Sequence, residues 1–153
     1  MSEVEQHMVE QRVVEQTVRI RARPETVWRY WTDPERMSDW WGAARLDPRP
    51  GGEYVVEMEG GPTMRGEYVD LVPFERIVFL FGWDPAVGTP PPLAPSSTVV
   101  EVTLAPDGDD TILTVCHRGL PASLLDRHDS GWVAHLPVLA AAVADGRRGS
   151  LRP

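Results

Sequence analysis

Trp28–Gly42, WRYWTDPERMSDWWG, holds four of the six tryptophans of this 153-residue chain and is split by Thr-Asp-Pro-Glu. Each tryptophan brings a large apolar surface and an N–H that needs a partner once buried. Two short helices cannot bury four such rings between themselves. The rings must line a cavity or form an exposed patch, and soluble monomers seldom carry large exposed patches. The stretch therefore predicts a hydrophobic pocket roofed by two short helices.

The periodicity on either side supplies the rest of the fold. Pro24 stands at a first helical position, and Val27, Tyr30 and Trp31 follow at i, i+3 and i+4. Asp33 is placed to cap a second helix over Pro34 and Glu35, ending near Gly42. Upstream, residues 12–22 alternate with Val14, Val18 and Ile20 on one face, as a half-buried strand does, and residues 1–11 read as a polar, flexible tail. Downstream the period becomes 2. Strands are expected at Ala44–Leu46, Glu53–Glu59, Thr63–Val72, Arg76–Trp83, Thr98–Leu104 and Thr111–His117, joined by Gly-, Pro- and Asp-rich turns. Residues 84–97, DPAVGTPPPLAPSS, contain five prolines and must form a loop.

After residue 121 the period returns to 3.6. Ser123 with Asp126 reads as a capping box, and Leu125, His128, Trp132, Leu136, Leu139 and Val143 share one helical face. Gly131 is expected to let helix and sheet approach closely. Gly146 is expected to stop the helix, leaving residues 147–153 disordered. Pro137 breaks the helical pattern at a cost of roughly 3 kcal/mol, most simply relieved by a kink. The fold class is α+β: one domain over residues 12–146, with an antiparallel sheet of about seven strands around a long C-terminal helix.

Composition narrows the function. A net charge of −8 and a pI near 4.9 argue against nucleic acid and anionic membranes as partners. All fifteen basic residues are Arg, a coding bias rather than fifteen sites. The single cysteine, Cys116, excludes an internal disulfide framework. The polar opening residues carry no signal-peptide pattern, and the longest apolar run, Leu136–Ala144, is too short to cross a bilayer. A cytoplasmic location without membrane insertion is the expectation.

Chemistry leaves a fainter trace. His128 and His135 are two helical turns apart, about 10 Å by the helical rise, and no HxxxH, HExxH or CxxC spacing occurs, so neither metal nor cofactor is expected. Cys116 and His117 are strand neighbours pointing to opposite faces, which argues against a nucleophile pair. Asp107-Gly-Asp-Asp lacks the calcium-loop pattern and reads as a hairpin turn. Glu57 and Glu67 have no evident partner, Asp84 opens the Pro-rich loop, Glu101 is expected at solvent, and no catalytic residue is assigned. The candidate lining of the pocket is Tyr30, Trp31, Trp40 and Trp41 from the lid, Phe79, Phe81 and Trp83 from one strand, and Trp132, His135, Leu136 and Leu139 from the last helix.

The blocks PETVWRYWTDPERMSDWWG, LDPRPGGEY, MRGEYVDLVPFERIVFLFGW, SSTVVEVTLAPDGDDTILTVCHRGLP and HDSGWVAHLPVLAAAV occur in this order. Together they resemble the SRPBCC (START/polyketide cyclase-like) superfamily, in the branch named for activators of the heat-shock chaperone ATPase. The resemblance covers roughly residues 12–146 and implies a helix-grip fold, a curved sheet wrapping the C-terminal helix around a hydrophobic cavity. The expected function is binding of a small hydrophobic molecule (lipid, sterol or aromatic polyketide-like) in that cavity. The alternatives are a cyclase- or hydrolase-type enzyme using the same cavity, and an interaction module, homodimeric or in contact with a chaperone, with the Pro-rich loop as its distinctive surface.

Overall fold

The computed structural model of the chain describes residues 13–58, 61–84 and 93–150, with side chains through residue 146. The expected N-terminal tail, residues 85–92 of the Pro-rich loop and residues 151–153 lie outside the described residues. Strand β1 (Val13–Ile20) buries Val14 and Ile20 and turns Glu15, Thr17 and Arg19 outward, as its alternation requires. Helix α1 (Pro24–Thr32) opens on Pro24 and buries Val27, Tyr30 and Trp31. Asp33 then ends it and caps the four-residue helix α2 (Pro34–Met37), accepting a 3.0 Å hydrogen bond from the Glu35 N–H.

Six strands follow: β2 (Ala43–Leu46), β3 (Glu53–Glu57), β4 (Thr63–Val72), β5 (Arg76–Phe81), β6 (Thr98–Asp107) and β7 (Asp110–Arg118). They form one antiparallel seven-stranded sheet in the order β1-β7-β6-β5-β4-β3-β2. The chain lays down one edge, crosses through α1 and α2, restarts at the opposite edge and returns strand by strand to pair Thr17 with Thr114. The two helices therefore bridge the sheet's edges, which places Trp31 of α1, and Trp40 and Trp41 of the turn after α2, over its inner face, while Trp28 packs on Phe74 and is only partly buried. β3 ends at Glu57, short of the expected Glu59, and Trp83 makes an isolated bridge to Met64 beyond the end of β5.

Two features bend the sheet. Pairing of β4 with β5 slips between Tyr68 and Asp70, a bulge that sharpens local twist. At Gly66 the neighbouring strand comes so near that a Cβ would lie 1.7 Å from the Leu80 carbonyl oxygen. The β6–β7 turn pairs Asp107 with Asp110 and puts Gly108 at φ 62°, the left-handed region that the first position of this two-residue turn requires.

Helix α3 (Leu125–Ser150) lies against β1 and α1. Gln16 of β1 donates a 2.6 Å hydrogen bond to the Asp129 carboxylate and ties strand to helix. The expected face is the inner one: His128, Trp132, Leu136, Leu139 and Val143 are buried. Three expectations about this helix fail. It is entered through a 3-10 turn, Ala122–Leu124, whose N-cap is Pro121 without a side-chain cap bond, in place of a Ser123 capping box. A Cβ on Gly131 would meet nothing within 4 Å, so no close approach depends on that glycine. The helix also passes through Gly146 to Ser150. Gly146 is where backbone and side chain meet closely, since a Cβ there would come within 2.5 Å of the Tyr30 hydroxyl.

Pro137 lies inside α3 on its solvent side, next to Val133 (51% exposed) and Val138 (47% exposed). The Val133 carbonyl that loses its partner can be hydrated there, so the helix continues past the proline. Pro137→Ala restores that bond. We expect a gain of about 2 kcal/mol, the interior proline penalty of about 3 less the roughly 1 lost through a freer unfolded chain. Urea unfolding measures it, and a loss of stability would mean that the proline's ring packing matters more than its missing N–H.

Candidate functional site

Trp31, fully buried on α1, is the hub of the interior. Its ring centroid lies 4.8 Å from Trp40, 6.2 Å from Trp41, 6.3 Å from Phe79 and 6.4 Å from Trp132. Trp41 extends the network to Trp132 at 5.5 Å, Phe81 at 6.5 Å and His135 at 6.4 Å. Phe81 stands 5.1 Å from Trp83. Lid, sheet and final helix thus bring eight of the expected lining residues, Trp31, Trp40, Trp41, Phe79, Phe81, Trp83, Trp132 and His135, into one connected set of rings. Leu136 and Leu139 are buried in the same core, whereas Trp83 is only partly buried.

Tyr30 stands apart. Its ring lies under the Arg36 guanidinium at 5.9 Å, and its hydroxyl is 3.5 Å from the Ala142 carbonyl. It faces a separate cleft of about 470 Å³ between α1 and α3, lined also by Arg23, Arg29, Asp109 and Gly146. Sequence reasoning missed Tyr54 and Tyr68, both buried, with Tyr54 stacked on Phe79 at 4.1 Å and 4.9 Å from Tyr68. The signal was available: Tyr54 and Val56 alternate on β3 and occupy its inner face.

Polar tips within this apolar interior are almost all paired. Trp40 Nε1 donates to the Tyr30 carbonyl at 2.9 Å, and Tyr68 Oη donates to the Trp31 carbonyl at 2.8 Å. Thr98 Oγ1 donates to the Phe81 carbonyl at 2.7 Å, so the His117 Nε2 lying 2.8 Å from that hydroxyl must carry the proton. His117 Nδ1 is then the acceptor for the Trp132 indole N–H at 3.2 Å. His128 is fixed likewise: Nε2 accepts from Trp83 Nε1 at 3.4 Å, and Nδ1 donates to the Leu124 carbonyl at 3.0 Å. Both imidazoles are neutral with both nitrogens engaged. Burial, and then the neighbouring His128, hold His117 down at about 3, and burial also lowers His128.

The Trp31 Nε1 and the Tyr54 hydroxyl are buried without a hydrogen-bond partner. Burial raises the Tyr54 hydroxyl well above the usual phenol range, so it stays protonated.

The remaining candidate groups have structural employment. Cys116 is buried on the strand face opposite His117, and burial raises its thiol. The acidic turn is neutralised by arginines: Asp107 and Asp110 pair with Arg19, and Asp109 pairs with Arg23. Asp84 binds Arg65 through both oxygens, and Glu101 meets Arg76 and Arg118 at 3.5 Å. No group of three or more metal-ligating side chains occurs among the described residues. No helix among them is long and apolar enough to cross a membrane.

A sheet closed over a C-terminal helix by two short helices is the architecture that comparison with known proteins finds. The sequence model of activator of Hsp90 ATPase homolog 1-like proteins matches residues 21–144. The chain belongs to that family. Among solved structures, the AHSA1-like protein RHE_CH02687 from Rhizobium etli is 35% identical, with a TM-score of 0.66 over 86% of this chain and 81% of that one. DynU16, a protein of the dynemicin biosynthetic locus, is 25% identical with a TM-score of 0.75. That match covers 89% of this chain but only 48% of DynU16, so the chain spans about half that protein's length. CalU16 from Micromonospora echinospora is also 25% identical, with a TM-score of 0.66 over 84% of this chain and 71% of that one. No curated protein sequence matches. The helix-grip fold expected from the SRPBCC resemblance is thereby that of an AHSA1-like member of the superfamily.

Proposed function

We propose that this AHSA1-like protein binds a small hydrophobic molecule, flat and aromatic in character, in the interior beneath α1 and α2. The observation that carries this reading is the ring network of Trp31, Trp40, Trp41, Phe81 and Trp132, assembled from three separate elements at the place where the fold grips. Such walls favour offset and edge-to-face contact with another π surface, beyond the burial of area alone. An acid–base enzyme is the weaker reading, because His117 and His128 have no ring nitrogen free to exchange a proton with a substrate. That leaves His135, bonded through Nδ1 to the Gly131 carbonyl, as the one lining imidazole such a reading could use.

Tryptophan fluorescence tests the proposal, since the binding rings are themselves the reporters. Titration with a fatty acid, a sterol and a tricyclic aromatic should give saturable quenching, strongest with the aromatic. Flat titrations with all three would overturn it.

A further inference from the structure

We propose that the cleft between α1 and α3 is a second binding site, separate from the aromatic interior, and that it takes the phosphate group of a small phosphomonoester. It stands independently of the interior ligand proposed above. The cleft measures about 470 Å³, room for a ligand of sugar-phosphate size. Its charge runs against that of the whole molecule. It is lined by three of the chain's fifteen basic residues, Arg23, Arg29 and Arg36, and by only two of its twenty-three acidic ones, Glu25 and Asp109. A protein of net charge −8 thus carries a concave surface with an excess of guanidinium.

The excess gathers around one side chain. Arg29 precedes Tyr30 on α1, and the Arg36 guanidinium of α2 lies over the Tyr30 ring, 5.9 Å from its centroid. The Tyr30 hydroxyl reaches the α3 wall, where its 3.5 Å contact with the Ala142 carbonyl is at the long limit of a hydrogen bond. Gly146 makes room for it there, because a Cβ would come within 2.5 Å of that oxygen. Arg23 and Asp109 are paired at 2.9 Å and cancel each other. Arg36 has only a long contact with Asp39, 3.9 Å, between half-exposed side chains. Against the one remaining carboxylate of the cleft, Glu25, stand two guanidiniums, Arg29 and Arg36.

This donor set selects the anion. A guanidinium presents a planar fork of N–H donors that matches two oxygens of a phosphate, and the Tyr30 hydroxyl can donate to a third. A carboxylate, with two oxygens and a single charge, satisfies fewer of these donors. Nucleic acid is a poor occupant, since a polyanion would extend beyond the cleft and meet the acidic remainder of the surface.

Glucose 6-phosphate tests this, with acetate and glucose as comparisons. Each is titrated at constant ionic strength and followed through the backbone amide signals of Thr26, Tyr30 and Gly146. Glucose 6-phosphate should shift these signals saturably, acetate should bind at least roughly threefold more weakly, and glucose should leave them unmoved. Arg29→Gln and Arg36→Gln should each weaken glucose 6-phosphate roughly three- to tenfold, as loss of one charge-assisted contact at a solvent-open site does. Arg76→Gln is the control. It removes the same charge from outside the cleft, where Arg76 pairs with Asp70 and Glu101, and should leave the affinity unchanged. Absence of saturable shifts would overturn the proposal, as would acetate binding as tightly as the phosphate. Undiminished affinity in Arg29→Gln and Arg36→Gln would overturn it too. An equal loss in Arg76→Gln would do the same, by reducing the attraction to overall charge.

Discussion

Lowering the pH from 6.5 to 4.5 removes about 2 kcal/mol of folding stability, the slope growing toward roughly 1.4 kcal/mol per pH unit as the unfolded imidazole takes up a proton that the buried one cannot accept. The group is His117, held at about 3 in the folded protein against an ordinary value of 6.5. Between these values the unfolded chain takes up a proton that the folded one refuses. The stabilising contribution is thus complete above pH 6.5 and falls as the pH drops toward 3. Burial is the first cause of the refusal and the neighbouring His128 the second. The hydrogen bonds act the same way, because Nε2–H is committed to Thr98 and Nδ1 faces the indole N–H of Trp132, so a second proton would set donor against donor. His128, whose ring centroid is 5.6 Å away, is lowered by burial and adds in the same direction. The Asp84 carboxyl, held below the usual range by Arg65, also loses its contribution on acidification, at lower pH. Urea unfolding across the pH range measures the slope. His117→Gln should be less stable at pH 7 yet lose less on acidification. An unchanged slope in that variant would show that another group carries the acid sensitivity.

The parts of the fold legible in the sequence were those governed by local chemistry. Asp33 over Pro34-Glu35, the alternation of β1 and the face shared by Trp132, Leu136, Leu139 and Val143 all depend on neighbours within a few residues. Helix ends were read less well. Gly146 lacks the left-handed geometry of a helix stop, and glycine within a helix costs only about 1 kcal/mol, which packing overrides. Ser123 offered a cap that the chain bypassed through Pro121. The candidate site was legible as a set of rings and not as a set of bonds. Nothing in the spacing of Thr98, His117 and Trp132 announces that β6, β7 and α3 will bring them together. Such partners are set by sheet order, which no local pattern encodes. Tyr30 illustrates the same limit. One helical face can bury Trp31 in the interior while sending its immediate neighbour into a different cleft.

Trp132→Ala is expected to cost about 3–5 kcal/mol, a large share of the 5–15 kcal/mol that holds a typical domain together. The residue is 4% exposed and touches Trp31, Trp41, Phe81 and His117. Its removal leaves a void bounded by rigid rings that relax poorly, and it strands the Nδ1 acceptor of His117. Trp132→Phe separates the two contributions. Most of the ring contact survives while the indole donor is lost, so the cost should fall to about 1–3 kcal/mol, the penalty of one unpaired buried acceptor. With that donor gone, His117 Nδ1 is open to a proton and only burial and His128 oppose it, so the acid slope should also become shallower. Denaturant unfolding of both variants at pH 7 and pH 5 gives the four values required. Near-zero cost for Trp132→Ala would mean that the inner face of α3 is not packed as described. A phenylalanine variant as damaging as the alanine one would place the energy of Trp132 in its hydrogen bond rather than in its ring.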